Sequence, residues 1–186
     1  ASLRARMEEM RDKAWKQAVD CVSGADFAML TEDVAALAHS RLPMAPDTKL
    51  ARVTARLLDR QQARARRRGR KAKSGEEGDM HRLRIALKKL RYTAEFLAPL
   101  YPKEKVRRYI KKLRGLQEHL GAINDIAHVR ATIAGLLRDT DGKRSAPAER
   151  YAAGLVAGWY RARRPRITKQ ALKRWKQFRA VKPFWA

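Results

Sequence analysis

The stretch MHRLRIALKKLRYTAEFL (residues 80–97) places one histidine and five Lys or Arg residues in the eleven positions 81–91. Cations at this density bind anions: Arg offers a planar fork to two phosphate oxygens, and Lys a compact point charge. Projected as a helix at about 100° per residue with His81 at zero, Arg84, Lys88 and Arg91 fall between about 280° and 340°. Leu83, Ala86, Leu87, Leu90, Ala94 and Leu97 fall between about 140° and 240°, the ordinary way in which a helix docks on its neighbours. The cationic stripe from His81 to Arg91 is about 15 Å long at 1.5 Å of rise per residue. Arg82 and Lys89 widen the charge on the other flank of His81, and Glu95 is the one acid of the helix beyond Asp79.

Two neighbouring segments share this rhythm. Val106, Tyr109, Ile110, Leu113, Leu116 and Leu120 form one apolar stripe, and Arg107, Arg108, Lys111, Lys112 and Arg114 lie mostly away from it. Upstream, QARARRRGRKAK (residues 62–73) contains Arg64, with Arg60 and Arg56 one and two turns before it. Residues 51–114 carry twenty-two Lys or Arg against six Asp or Glu, half of the 44 basic residues in the chain. Residues 1–50 are near neutral, residues 115–160 are balanced, and residues 161–186 hold ten Lys or Arg and no acid. The formal net charge is +25, and unpaired like charges held together oppose folding unless a ligand neutralises them. Nucleic acid, an anionic membrane surface and a polyphosphate chain are the candidate partners.

Several classes of function are disfavoured. Metal-assisted phosphoryl transfer needs clustered carboxylates, and neither these nor a Gly-rich phosphate loop is evident. His119, His128 and Cys21 lack metal-ligand spacing, so neither a metal site nor a cofactor is expected. Single-stranded nucleic acid is held on aromatic platforms, whereas Tyr92 and Tyr109 are placed to pack at helix–helix seams. Asn124-Asp125 is expected to cap a helix start. A lone cysteine cannot form an intramolecular disulfide and is expected to be a buried small residue in a cytoplasmic protein. Neither a signal-peptide pattern nor an apolar run of about 18 residues occurs, so no membrane is expected as partner.

The elements that must position these residues are helical, because apolar residues recur every three or four positions and no run alternates with period two. An all-α fold of about eight helices follows, at residues 2–20, 26–40, 48–70, 80–98, 103–120, 122–138, 147–163 and 167–180. Pro43 and Pro46, SGEEGD (residues 74–79, with Asp79 as the next helix's cap), APLYP, Gly121 and DTDGKRSAP supply the breaks. Gly154 and Gly158 in GLVAGW are spaced for close helix packing, and Trp175, Phe178, Phe184 and Trp185 are expected to dock on the bundle.

HRLRIALKKLRYTAEFL and LQEHLGAINDIAHVR (residues 116–130) resemble the conserved-histidine α-helical domain, CHAD, with its His-x-x-Arg helix and its Leu-Gln-x-x-Leu-Gly-x-x-Asn-Asp stretch. The resemblance spans most of the chain after about residue 50 and is weaker before it, and GLVAGW and PFW are similar to the end of such domains. It implies one helical domain over residues 1–186 that binds inorganic polyphosphate through a basic groove, without catalysis, in the cytoplasm or on polyphosphate granules. His81, Arg84, Lys88 and Arg91 match the family's motif positions; Arg82, Lys89, Arg108, Lys111, Lys112, Arg56, Arg60 and Arg64 are the neighbouring basic residues proposed to join them. The family carries two such His helices. Here His39 is soon followed by Pro43, so the first repeat is either missing or diverged. A nucleic-acid-binding basic protein and an accessory domain of a triphosphatase are the alternatives, with nucleic acid also a nonspecific partner of the polyphosphate-binding form.

Overall fold

The computed structural model describes residues 3–40, 49–138 and 146–186. These form six α-helices: α1 (Leu3–Ser23), α2 (Ala25–His39), α3 (Leu50–Lys71), α4 (Glu77–Phe96), α5 (Lys103–Arg138) and α6 (Pro147–Arg179). Short 3₁₀ turns at Ala72–Ser74 and Ala98–Leu100 flank α4, and there is no strand among the described residues. The fold is all-α. The expected eight helices become six because two breaks do not break. Residues 103–120 and 122–138 join through Gly121, and residues 147–163 and 167–180 join through Pro165. An interior Gly costs a helix about 1 kcal/mol, and burial of Leu120, Ile123 and Ile126 on one side of α5 outweighs it. Pro165 removes one amide donor, but the α6 residues beyond it are anchored by buried Ala171, Trp175 and Phe178. Pro43, Pro46 and residues 139–145 of the later break lie outside the described residues.

The chain forms two compact units, Ala1–Asp47 with Ala134–Gly154 and Thr48–Ile133 with Leu155–Ala186. In the first, α1 and α2 form a hairpin at Gly24. Arg6 donates to the carbonyl of Leu136 and pairs with Glu149. No residue of α1 or α2 is buried, and Cys21 is exposed, contrary to expectation, because this hairpin has little to pack against in its own unit.

The second unit holds the core. Leu58, Ala65 and Gly69 of α3 face Met80, Leu83, Leu87, Leu90 and Ala94 of α4, and Val106, Tyr109, Leu113, Leu116, Leu120 and Ile123 of α5 close the cluster. The alternation of three- and four-residue steps along α4 and α5 keeps each stripe on one side of its helix. Truncating a fully buried leucine such as Leu87 or Leu113 costs about 2–5 kcal/mol. The aromatic residues of α6 and the tail dock as expected. Tyr109 takes Phe178, Phe184 and Trp185 edge-on at 5.2, 5.4 and 5.2 Å. Trp185 Nε1 donates to Asp59 Oδ1 at 2.8 Å, tying the chain's end to α3. Burial pushes the Tyr109 hydroxyl well above the ordinary tyrosine range, with Gln62 and Arg66 opposing the shift.

The α3–α4 turn runs through Gly75, whose φ of 74° is the left-handed region that glycine favours. Helix α4 begins earlier than Asp79, with Glu76 at its N-cap and no side-chain cap; Asp79 instead takes Arg82 at 2.8 Å, one turn on. Gly154 and Gly158 are exposed with nothing within 4 Å of an added Cβ, so they are not packing glycines.

Candidate anion-binding site

Helices α4 and α5 lie antiparallel, and three side-chain contacts set their register. His81 Nδ1 donates to Asn124 Oδ1 at 2.8 Å, Arg130 Nη1 approaches Glu77 Oε2 at 3.3 Å, and Arg114 Nη2 and Nε reach Glu95 Oε1 at 2.8 and 3.3 Å. Between these ties, the helical stripe of α4 presents Arg84, Lys88 and Arg91, all half-buried, along its α5 edge. Interpolating between the 81–124 and 95–114 contacts sets Arg91 level with Gln117 and Arg84 level with Ala122. An acid brackets the stripe at each end. Glu95 also pairs with Arg91 at 3.5 Å, and Glu77 with Arg164 at 3.8 Å. No ion pair reaches Arg84 or Lys88 among the described residues.

Two polar groups in this seam are buried without a partner, Arg91 Nε and Gln117 Nε2. Both are donors, and leaving a buried donor unmade costs about 1–3 kcal/mol. At one level of the same seam they make a place that favours an acceptor oxygen. A Cβ at Gly121 would meet nothing within 4 Å. Gly121→Ala is therefore expected to stabilise the fold by about 0.5–1 kcal/mol through helix propensity alone, read as a higher midpoint in thermal or urea unfolding.

Beside His81 a cavity of about 380 Å³ is lined by Glu77, Gly78, Asn124 and His128, among others. With Nδ1–H committed to Asn124, the neutral ring has only a bare Nε2 left, so His81 donates to an anion there only when doubly protonated. Asn124 lies within the continuous α5 and holds this imidazole; it does not cap a helix start. His119 Nδ1 donates back to the Gly115 carbonyl at 2.8 Å, a purely local bond.

The other basic residues of the sequence reading do not converge. Arg82 and Lys89 are exposed on the flank of α4 away from the stripe, Arg82 held by Asp79. Projected from buried Leu58, Arg56, Arg60 and Arg64 fall about 160–240° away, so they face outward from α3. On α5, Lys111 lies about 60° from Arg114 and extends its exposed edge, whereas Arg108 and Lys112 lie about 120–160° away on another face. Arg114, Gln117 and Asn124 are the seam residues that single-helix periodicity did not select. Tyr92 is 50% exposed, not in a seam, with Arg91 and Lys88 at 4.8 and 5.7 Å from its ring centre. Among the described residues no group of three or more His, Cys, Asp or Glu is placed to hold a metal, and no helix is long and apolar enough to cross a membrane.

Comparison with known proteins matches residues 1–134 to the CHAD domain family. The match includes the first fifty residues and both sides of the α4–α5 seam, and it leaves GLVAGW and PFW outside. No curated protein matches the chain.

Proposed function

The chain belongs to the CHAD domain family, and on that premise we propose that it binds inorganic polyphosphate along the α4–α5 seam without transforming it. One observation carries the reading: Arg84 and Lys88, without an ion pair among the described residues, share the α5 edge of α4 with Arg91, whose Nε is buried without a partner, as is Gln117 Nε2 at its level. A chain with roughly one charge per phosphate and no bases supplies acceptor oxygens at every unit. It needs cations and donors, and this seam offers both. His81, Arg114 and Lys111 extend the track at its two ends. Arg82, Lys89, Arg56, Arg60, Arg64, Arg108 and Lys112 contribute to the surrounding positive field, which speeds encounter more than it fixes the ligand. Association with polyphosphate granules in the cytoplasm is the setting this reading implies.

A single-stranded nucleic acid is the second reading, favoured by exposed Tyr92 beside the cations, which would serve as a stacking platform. Competition separates the two. At about 150 mM salt, where weak nonspecific contacts are screened, long-chain polyphosphate is expected to displace labelled single-stranded DNA and RNA, and not the reverse. Equal or tighter nucleic-acid binding, lost in Tyr92→Ala, would replace the polyphosphate reading. Phosphate release from the bound chain in Mg²⁺ or Mn²⁺ would show an enzyme instead.

A further inference from the structure

A second basic cavity lies where α4 begins. Arg130 of α5 and Arg161 and Arg164 of α6 line a space of about 260 Å³. Glu77 is the acid bound to this cluster: its Oε2 takes Arg130 at 3.3 Å and Arg164 at 3.8 Å. Arg164 Nη2 also donates to the Gly75 carbonyl at 3.5 Å, and its Nε is buried without a partner. Three guanidinium groups against one carboxylate leave a local charge of +2. Three arginines held around one small space repel each other, and a compact ligand of charge near −2 with several acceptor oxygens would offset this. Glu77 stands one turn before His81, so the cavity sits at the end of the α4 stripe.

We propose that the Arg130–Arg161–Arg164 cavity holds the terminal phosphate group of a linear polyphosphate, with Glu77 as an internal competitor for the same arginines. This rests on the polyphosphate reading and adds to it a preference for chain ends. An end group carries about −1.5 to −2 charge at neutral pH, as a phosphomonoester does, while each internal group carries about −1. A pocket of charge +2 therefore distinguishes ends from middles. Arg161 and Arg164 lie beyond the residues matched to the family.

Linear tripolyphosphate has two ends and cyclic trimetaphosphate has none, which makes them the probes. Their affinities for the full chain are measured by isothermal titration calorimetry in Mg²⁺-free buffer, together with long-chain polyphosphate and orthophosphate. The linear form is expected to bind at least about tenfold more tightly than the cyclic one. In Arg161→Ala/Arg164→Ala that ratio is expected to collapse to within about threefold, with cyclic binding little changed. Arg161→Ala alone, an exposed residue whose loss leaves the fold intact, is expected to reduce it partway. Glu77→Gln is expected to raise linear affinity about three- to tenfold, whereas Glu104→Gln, which frees an exposed Arg107, changes it by less than twofold. An unchanged linear-to-cyclic ratio in both arginine variants, or equal effects of the two Gln substitutions, would overturn the end pocket. Orthophosphate binding as tightly as tripolyphosphate would overturn it in favour of a free-phosphate site. Either result with long-chain binding intact leaves the seam reading standing, while loss of all polyphosphate binding in the unaltered chain sinks both.

Discussion

With Arg84 and Lys88 reversed to Glu and Arg91 neutralised to Gln, long-chain polyphosphate binding at about 150 mM salt is expected to fall by about three powers of ten. Each site loses a charge-assisted contact worth about 1.5 kcal/mol or more, and two sites gain repulsion. The slope of log K against log salt is expected to become shallower by about two to three, since fewer counterions are released. Helical circular dichroism should stay unchanged, because Arg84 and Lys88 have no acid partner to lose among the described residues. Arg91 is neutralised instead of reversed because it pairs with Glu95 at 3.5 Å, and a second carboxylate there would face Glu95 one turn away on the same helix. Lys13 and Lys16 reversed to Glu with Arg4 neutralised to Gln, all exposed on α1, change the charge by the same five units and are the matched control. Arg6 is unsuited to that control, since it holds the Leu136 carbonyl and Glu149. Equal losses in the two sets would show that net charge alone binds the chain and would end the seam assignment.

The second large effect is on stability. Gly69→Ala is expected to cost about 1–3 kcal/mol, although alanine is the better helix former by about 0.5–1 kcal/mol. A Cβ at Gly69 would overlap Cζ2 and Cε2 of the Trp175 indole and stand 2.7 Å from its Nε1. The ring has little room to give way. Trp175 is 5% exposed and stacks obliquely on Phe178, which in turn meets Tyr109 edge-on. Displacing it disturbs the contact between α3 and α6 and the aromatic cluster behind it. At about 2–4 °C per kcal/mol for a chain of this size, the thermal midpoint should drop by several degrees. Gly121→Ala, the same substitution with open space around it, should move the midpoint upward. The pair thus separates steric crowding from helix propensity, and a Gly69→Ala protein as stable as the parent would mean that α3 and α6 do not pack through Trp175.

The stripes of α4 and α5 were legible residue by residue. Leu83, Ala86, Leu87, Leu90, Ala94 and Leu97 all prove buried, and Arg84, Lys88 and Arg91 do share the opposite edge. Local spacing decides which side of a helix is apolar, and three- and four-residue steps carry that in short range. The seam's other half was not legible. Asn124 meets His81 across 43 positions and Arg130 meets Glu77 across 53. Nothing in the spacing of one helix states its register against another. Tyr92 and Cys21 were misplaced for the same reason, since burial of one residue depends on which neighbour arrives. Arg161 and Arg164 read only as part of an acid-free tail until α6 brought them to Arg130.

Helix continuity failed differently. Gly121 and Pro165 are strong local breakers, and each opposes a helix by about 1–3 kcal/mol. Buried Leu116, Leu120, Ile123 and Ile126 around Gly121, and Ala171, Trp175 and Phe178 beyond Pro165, contribute more than that, so propensity lost to packing. By itself the sequence determined an all-α chain, the apolar faces of α4 and α5 and a cationic stripe along α4, because these follow from composition and a period of 3.6. Only tertiary structure decided which cations lie together, which acids restrain them and where two donors are left without acceptors, because those depend on how separate helices settle against one another.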